Sequence, residues 1–77
     1  MNYDYSKLKG KIRELGITQN EYARYIGITE QSLILRFKNK RRFRQEEMQK
    51  TMELFEEPIK NVHIYFFTQK VQKNRTN

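Results

Sequence analysis

Three residues within residues 18–39, TQNEYARYIGITEQSLILRFKN, restrict the fold of this chain more than anything else in it. Counting Gln19 as the first position, Ala23 is the fifth, Gly27 the ninth and Leu33 the fifteenth. A small side chain at 23 lets two helices approach closely, Gly27 supplies the positive φ that a tight turn after a helix requires, and Leu33 anchors the second helix in a core. This is the spacing of a helix-turn-helix.

The flanking sequence supports the same boundaries. Thr18 followed by Glu21 forms a capping box and starts a helix over about 19–26, with Tyr22, Ala23 and Ile26 as its buried stripe. Thr29 caps the next helix, about 30–38, in which Leu33 and Phe37 lie one turn apart and face inward. Before this unit, Leu8, Ile12 and Leu15 recur at helical intervals, so residues 5–15 form an amphipathic first helix that stops near Gly16. After it, Met48, Met52 and Phe55 mark a fourth helix over 45–56. Pro58 then opens a short fifth helix, about 58–66, that would bury Ile59, Val62 and Phe66. The expected fold is an all-α, compact five-helix bundle containing a helix-turn-helix. Its core draws on Leu8, Ile12, Leu15, Tyr22, Ala23, Ile26, Leu33, Phe37, Met52, Phe55, Val62 and Phe66. Residues 1–67 make one domain, and residues 68–77, TQKVQKNRTN, read as a basic, flexible tail.

Composition bounds the function classes. Seventy-seven residues allow one small domain, and the absence of cysteine removes disulfides and thiolate metal sites. The start of the chain is too polar for a signal peptide, and its longest apolar cluster, residues 64–67, is too short to cross a bilayer. A soluble protein of the cell interior is expected. Its net charge of +7 is unevenly placed. Residues 7–44 hold eleven basic and three acidic residues, whereas residues 45–77 hold five of each. The positive charge therefore coincides with the helix-turn-helix, as the footprint for a polyanion would.

The order of five helices, the TQ-x3-A-x3-GI core and the basic loop after the third helix resemble the Cro and lambda-repressor-like helix-turn-helix family, most closely the short Cro-like regulators of temperate phages of Gram-positive bacteria. Two positions depart from the pattern. Arg36 stands where the family commonly has an apolar residue, with Phe37 taking the packing role, and Asn39 stands where a glycine commonly follows the third helix. Asparagine tolerates the left-handed conformation needed there.

The resemblance implies a transcriptional regulator in the cytoplasm of a bacterial host, binding a double-stranded DNA operator with its third helix in the major groove. Glu30, Gln31, Ile34, Leu35 and Lys38 would then face the bases. Gln31 is the leading candidate, because its amide matches the N6/N7 edge of adenine. Glu30 suits cytosine N4, and equally suits the dipole at a helix start. For Ile34 and Leu35 two orientations stand: outward, toward a thymine methyl or a protein partner, or inward through a rotation of the helix. Gln19, Lys38, Asn39, Lys40, Arg41, Arg42 and Arg44 would hold phosphates, three or four of the residues after the third helix touching the backbone.

Other classes have less behind them. An enzyme would need a constellation that a single histidine, His63, and the sequence-adjacent pairs Glu46/Glu47 and Glu56/Glu57 do not supply; those glutamates read as surface charges, and no cofactor is implied. The alternative to direct DNA binding is an antirepressor or modulator that binds a partner phage repressor through Ile34 and Leu35. Assembly as a weak homodimer is expected from Ile64, Tyr65, Phe66 and Phe67. On a helix these four point to every side, so one core cannot bury them all.

Overall fold

The computed structural model describes residues 2–70. Five helices form an all-α bundle: α1 (Ser6–Glu14), α2 (Gln19–Ile26), α3 (Glu30–Phe37), α4 (Gln45–Phe55) and α5 (Val62–Phe66), the last preceded by a 3-10 turn at Ile59–Asn61. No helix among the described residues is long and apolar enough to cross a membrane.

The helix boundaries follow the expected local chemistry. Thr18 Oγ1 accepts from the Glu21 N–H at 3.0 Å while the Glu21 carboxylate accepts from the Thr18 N–H at 2.8 Å, closing the capping box at α2. Gly27 ends α2 at φ 86°, and the Ile28 N–H returns to the Ala23 carbonyl at 2.9 Å. Thr29 Oγ1 accepts from the Ser32 N–H at 3.1 Å and starts α3. Ala23 is fully buried, and α2 packs against both α3 and α4.

The core collects Leu8 and Ile12 from α1, Tyr22, Ala23 and Ile26 from α2, Leu33 from α3, Met52 and Phe55 from α4, and Tyr65 and Phe66 from α5. Phe37 and Val62 pack against it partly buried. Two aromatic rings enter from outside the helices: Phe43 meets Tyr5 and Phe66 edge-on, with ring centroids 5.3 and 4.9 Å apart. The Tyr22 hydroxyl donates to Thr51 Oγ1 at 2.6 Å, and Thr51 donates in turn to the Glu47 carbonyl at 2.8 Å, tying α2 to α4 inside the core. Burial holds the Tyr22 phenol well above its usual range.

Several expectations are corrected. Leu15 is exposed, because α1 ends at Glu14 and the chain then turns through Gly16 at φ 75°. Ile59 is also exposed: residues 59–61 form a 3-10 turn instead of the first turn of a helix, so the inward stripe begins at Val62. Tyr65 and Phe66 belong to this chain's own core and leave the surface assigned to a partner copy. The Tyr65 ring meets Phe55 edge-on at 5.0 Å, and its hydroxyl donates to Glu57 Oε2 at 2.5 Å. Burial, then the Glu57 carboxylate, push the Tyr65 phenol up to about 12, and the same hydrogen bond holds Glu57 below the usual carboxylate range. Ile64 is partly buried, while Phe67 is 44% exposed.

Residues 68–70 do not separate from the domain at 67. The Asp4 N–H donates to the Thr68 carbonyl at 2.7 Å, the Lys70 N–H to the Asn2 carbonyl at 3.3 Å, and Tyr3 and Gln69 form an antiparallel bridge. The Tyr3 ring packs edge-on against Phe67 at 5.8 Å. The rest of the expected tail, residues 71–77, lies outside the described residues.

Candidate nucleic-acid interface

The outer face of α3 is built by what holds its inner face. Leu33 is fully buried, and Arg36, one turn later, is 6% exposed. Its guanidinium donates from Nε and Nη2 to the two Glu47 oxygens at 2.9 and 3.0 Å, and from Nη1 to the Ser32 carbonyl at 3.1 Å. Glu47 is 3% exposed and also accepts from the Arg44 N–H at 3.1 Å. This bidentate pair joins α3 to the first turn of α4 and fixes the rotation of α3 about its axis. Arg36 is therefore an inward residue whose charge is neutralised internally, and Glu47 is buried instead of belonging to the acidic surface.

With that rotation set, Glu30, Gln31, Ile34 and Lys38 all lie on the exposed side of α3. Ile34 is 37% exposed and Leu35 is half-buried, so the two residues part company. Only Ile34 faces outward. Glu30 occupies the first turn of α3, where it complements the helix dipole.

Beyond α3 the chain turns through Asn39 at φ 63°. Asn39 was expected to hold a phosphate, but its side chain is committed elsewhere: Oδ1 accepts from the Tyr3 N–H at 2.8 Å and Nδ2 donates to the Tyr3 carbonyl at 3.0 Å. It clamps the N-terminal segment to the end of α3. Lys38, Lys40, Arg41, Arg42 and Arg44 remain exposed. Of these, Arg44 alone has an ion-pair partner among the described residues, Glu46 at 3.6 Å, and both of those side chains are largely in solvent, where such a pair holds them weakly. Gln19 is exposed at the start of α2. The basic residues of α1 are differently employed. Lys9 lies over the Phe37 ring at 5.0 Å, and Lys11 sits 3.6 Å from Glu57 and 3.9 Å from Glu14.

The arrangement thus offers a helix face of mixed polar and apolar groups, continued by a dense run of exposed cations, of which Lys38, Lys40, Arg41 and Arg42 have no ion-pair partner among the described residues. Phosphate-bearing polymers are the ligands that such a surface suits. Among the described residues no group of three or more His, Asp or Glu side chains is placed to hold a metal, and His63 is exposed with Nδ1 beside the Lys60 carbonyl at 3.0 Å. Sequence reasoning missed the Arg36–Glu47 pair and the Asn39 clamp. Arg36 carried a signal, since it lies three residues after Leu33 on the inward stripe; Glu47 carried another, three residues after Arg44, where a carboxylate commonly reaches back to cap a helix. The Tyr3 contact is made to backbone and has no signature in residue type.

Among curated proteins none matches this chain. A family model described as a protein of unknown function, DUF739, matches residues 1–69, and the chain belongs to that family.

Proposed function

We propose that this protein is a sequence-specific, double-stranded DNA-binding regulator that presents α3 to the major groove and the cations of residues 38–44 to the phosphates. The observation that carries the reading is the continuity of the exposed α3 face with exposed Lys38, Lys40, Arg41 and Arg42, none of which is engaged in an ion pair among the described residues. Gln31 reads an adenine edge and Ile34 meets a thymine methyl, while Gln19 and the cations set the register. The resemblance to short phage regulators makes a lysis-lysogeny operator the natural target, read in the cytoplasm of the bacterial host.

Selection from randomised duplexes, followed by fluorescence anisotropy over a range of salt, tests the proposal. With three or four phosphates neutralised, the slope of log affinity on log salt should be about −3. Gln31→Ala should reduce discrimination between selected and mismatched duplexes by roughly 1–3 kcal/mol, and Arg41→Ala should weaken all duplexes alike and lower the slope by about one. Failure to enrich any duplex, with equal weak binding to all, would defeat sequence-specific reading. The exposure of Ile34 in the middle of the α3 face also favours a second reading, in which a partner phage repressor covers that face. A gel shift with operator DNA in the presence and absence of that repressor separates the two.

A further inference from the structure

We propose that the cavity between the N-terminal segment and residues 39–43 binds a small aromatic anion: a one- or two-ring molecule carrying a carboxylate or phosphate. The cavity has a volume of about 500 Å³, within the range that small ligands occupy. Its lining combines two chemistries. Tyr3 and Phe67 supply accessible aromatic surface beside the buried Phe43, and Arg41 and Arg42 supply guanidinium groups with no ion-pair partner among the described residues. An aromatic ring accepts another edge-on or stacked, and a guanidinium matches a planar carboxylate or a phosphate.

Tyr5 makes the site specific. This side chain lines the cavity, is only 6% exposed, and its hydroxyl has no hydrogen-bond partner among the described residues. A buried phenol ordinarily finds one, because leaving the group unsatisfied costs free energy that a bond would recover. The Tyr22 and Tyr65 hydroxyls both have such partners. A polar atom of a bound ligand would complete the Tyr5 hydroxyl while the ligand's ring rests on Tyr3 and Phe67 and its anionic group meets the arginines. Asn39 also lines the cavity, so the ligand sits beside the clamp at the end of α3.

The test uses the whole chain without DNA, so its failure and the failure of DNA binding are separate results. Benzoate and phenyl phosphate are titrated into labelled protein and followed by amide chemical shifts, with benzamide and inorganic phosphate as the ring without charge and the charge without ring. Saturable shifts at Tyr3, Tyr5 and residues 41–43 are expected for one or both aromatic anions, and weaker responses for the two controls. The stronger of the two anions identifies the carboxylate or the phosphate as the preferred group. Tyr5→Phe keeps the packed ring and should weaken binding roughly three- to tenfold, the loss of one hydrogen bond. Arg41→Ala with Arg42→Ala, both exposed positions, should weaken it further without disturbing the core. Equal affinity for Tyr5→Phe, equal shifts from inorganic phosphate, or no saturation by either aromatic anion would overturn the assignment.

Discussion

Truncating Glu47 to alanine should remove much of the stability of this domain. The substitution leaves the Arg36 guanidinium, 6% exposed in the parent, with the Ser32 carbonyl at 3.1 Å as its remaining hydrogen-bond acceptor and the Phe43 ring at 6.0 Å, and it strips the Arg44 N–H of its acceptor at the start of α4. An uncompensated buried charge of this kind costs about 3–5 kcal/mol. A domain of this length is expected to be stable by about 4–12 kcal/mol, so the loss is comparable with the whole margin at the lower end. Removing both charges is a different perturbation. Arg36→Met with Glu47→Leu fills similar volume without desolvating any ion, and should recover most of the loss and even match the parent. Urea unfolding followed by far-UV circular dichroism, run on the parent, Glu47→Ala, the single variants Arg36→Met and Glu47→Leu, and the double variant, yields the coupling energy directly. The reasoning is refuted if Glu47→Ala costs less than about 1 kcal/mol, or if the double variant loses as much as the two single variants added together.

The two non-glycine residues with positive φ should respond to glycine in opposite ways. Glu56→Gly at φ 57° relieves a left-handed conformation with no side-chain contact at stake and should be neutral or stabilising by up to about 1 kcal/mol, whereas Asn39→Gly at φ 63° loses two hydrogen bonds to Tyr3 and should destabilise by about 1–2 kcal/mol in the same urea assay; a shared sign would contradict this. Glu57 contributes stability that is present at neutral pH and lost as pH falls below the ordinary carboxylate value through its lowered folded value, since the Tyr65 hydroxyl favours its ionised form. Glu57→Gln should therefore flatten the acid limb of a stability–pH profile, and an unchanged limb would remove the hydrogen bond from the account. Phe67, 44% exposed, is the remaining candidate for a homodimer contact; sedimentation over a wide concentration range should show weak self-association that Phe67→Ser abolishes, and a parent monomeric both free and on operator DNA would leave the dimer without support.

What the sequence discloses well is chemistry confined to a few neighbouring residues. Thr18 with Glu21, Gly27, and Thr29 are each read within one turn of chain, and α2 begins and ends where they indicate. Leu33 and Ala23 follow from helical spacing in the same way. Charged residues in the core are less legible, because the partner of Arg36 lies eleven positions away on another helix and hydrophobic periodicity assigns glutamate to the surface. The aromatic core contribution of Phe43 escaped for a related reason, since it sits outside the helices, where no period identifies an inward face; Tyr5, three residues before Leu8, continues the inward stripe of α1 and was legible from its spacing. At the candidate interface, the exposed cations and Gln31 are where residue type and register place them. Splitting Ile34 from Leu35 required the rotation of α3, which a buried ion pair sets. Withdrawing Asn39 required a backbone partner 36 residues away.

The strap made by residues 2–4 and 68–70 has a consequence in time. Most of the bundle is stitched by hydrogen bonds within single helices, which form early and reopen only with their helix. The Tyr3–Asn39 clamp and the Tyr3–Gln69 bridge instead close long loops and lie outside any helix. Such links close last and open first. Amide hydrogen exchange at Tyr3, Asp4 and Lys70 should accordingly run ahead of the α2 and α4 cores by orders of magnitude. The final turn of α3 shares in those openings through Asn39, so the segment just before the cationic loop fluctuates at the rate of that strap, while Leu33, fully buried and with its N–H bonded to the Thr29 carbonyl at 3.0 Å, keeps the rhythm of the core.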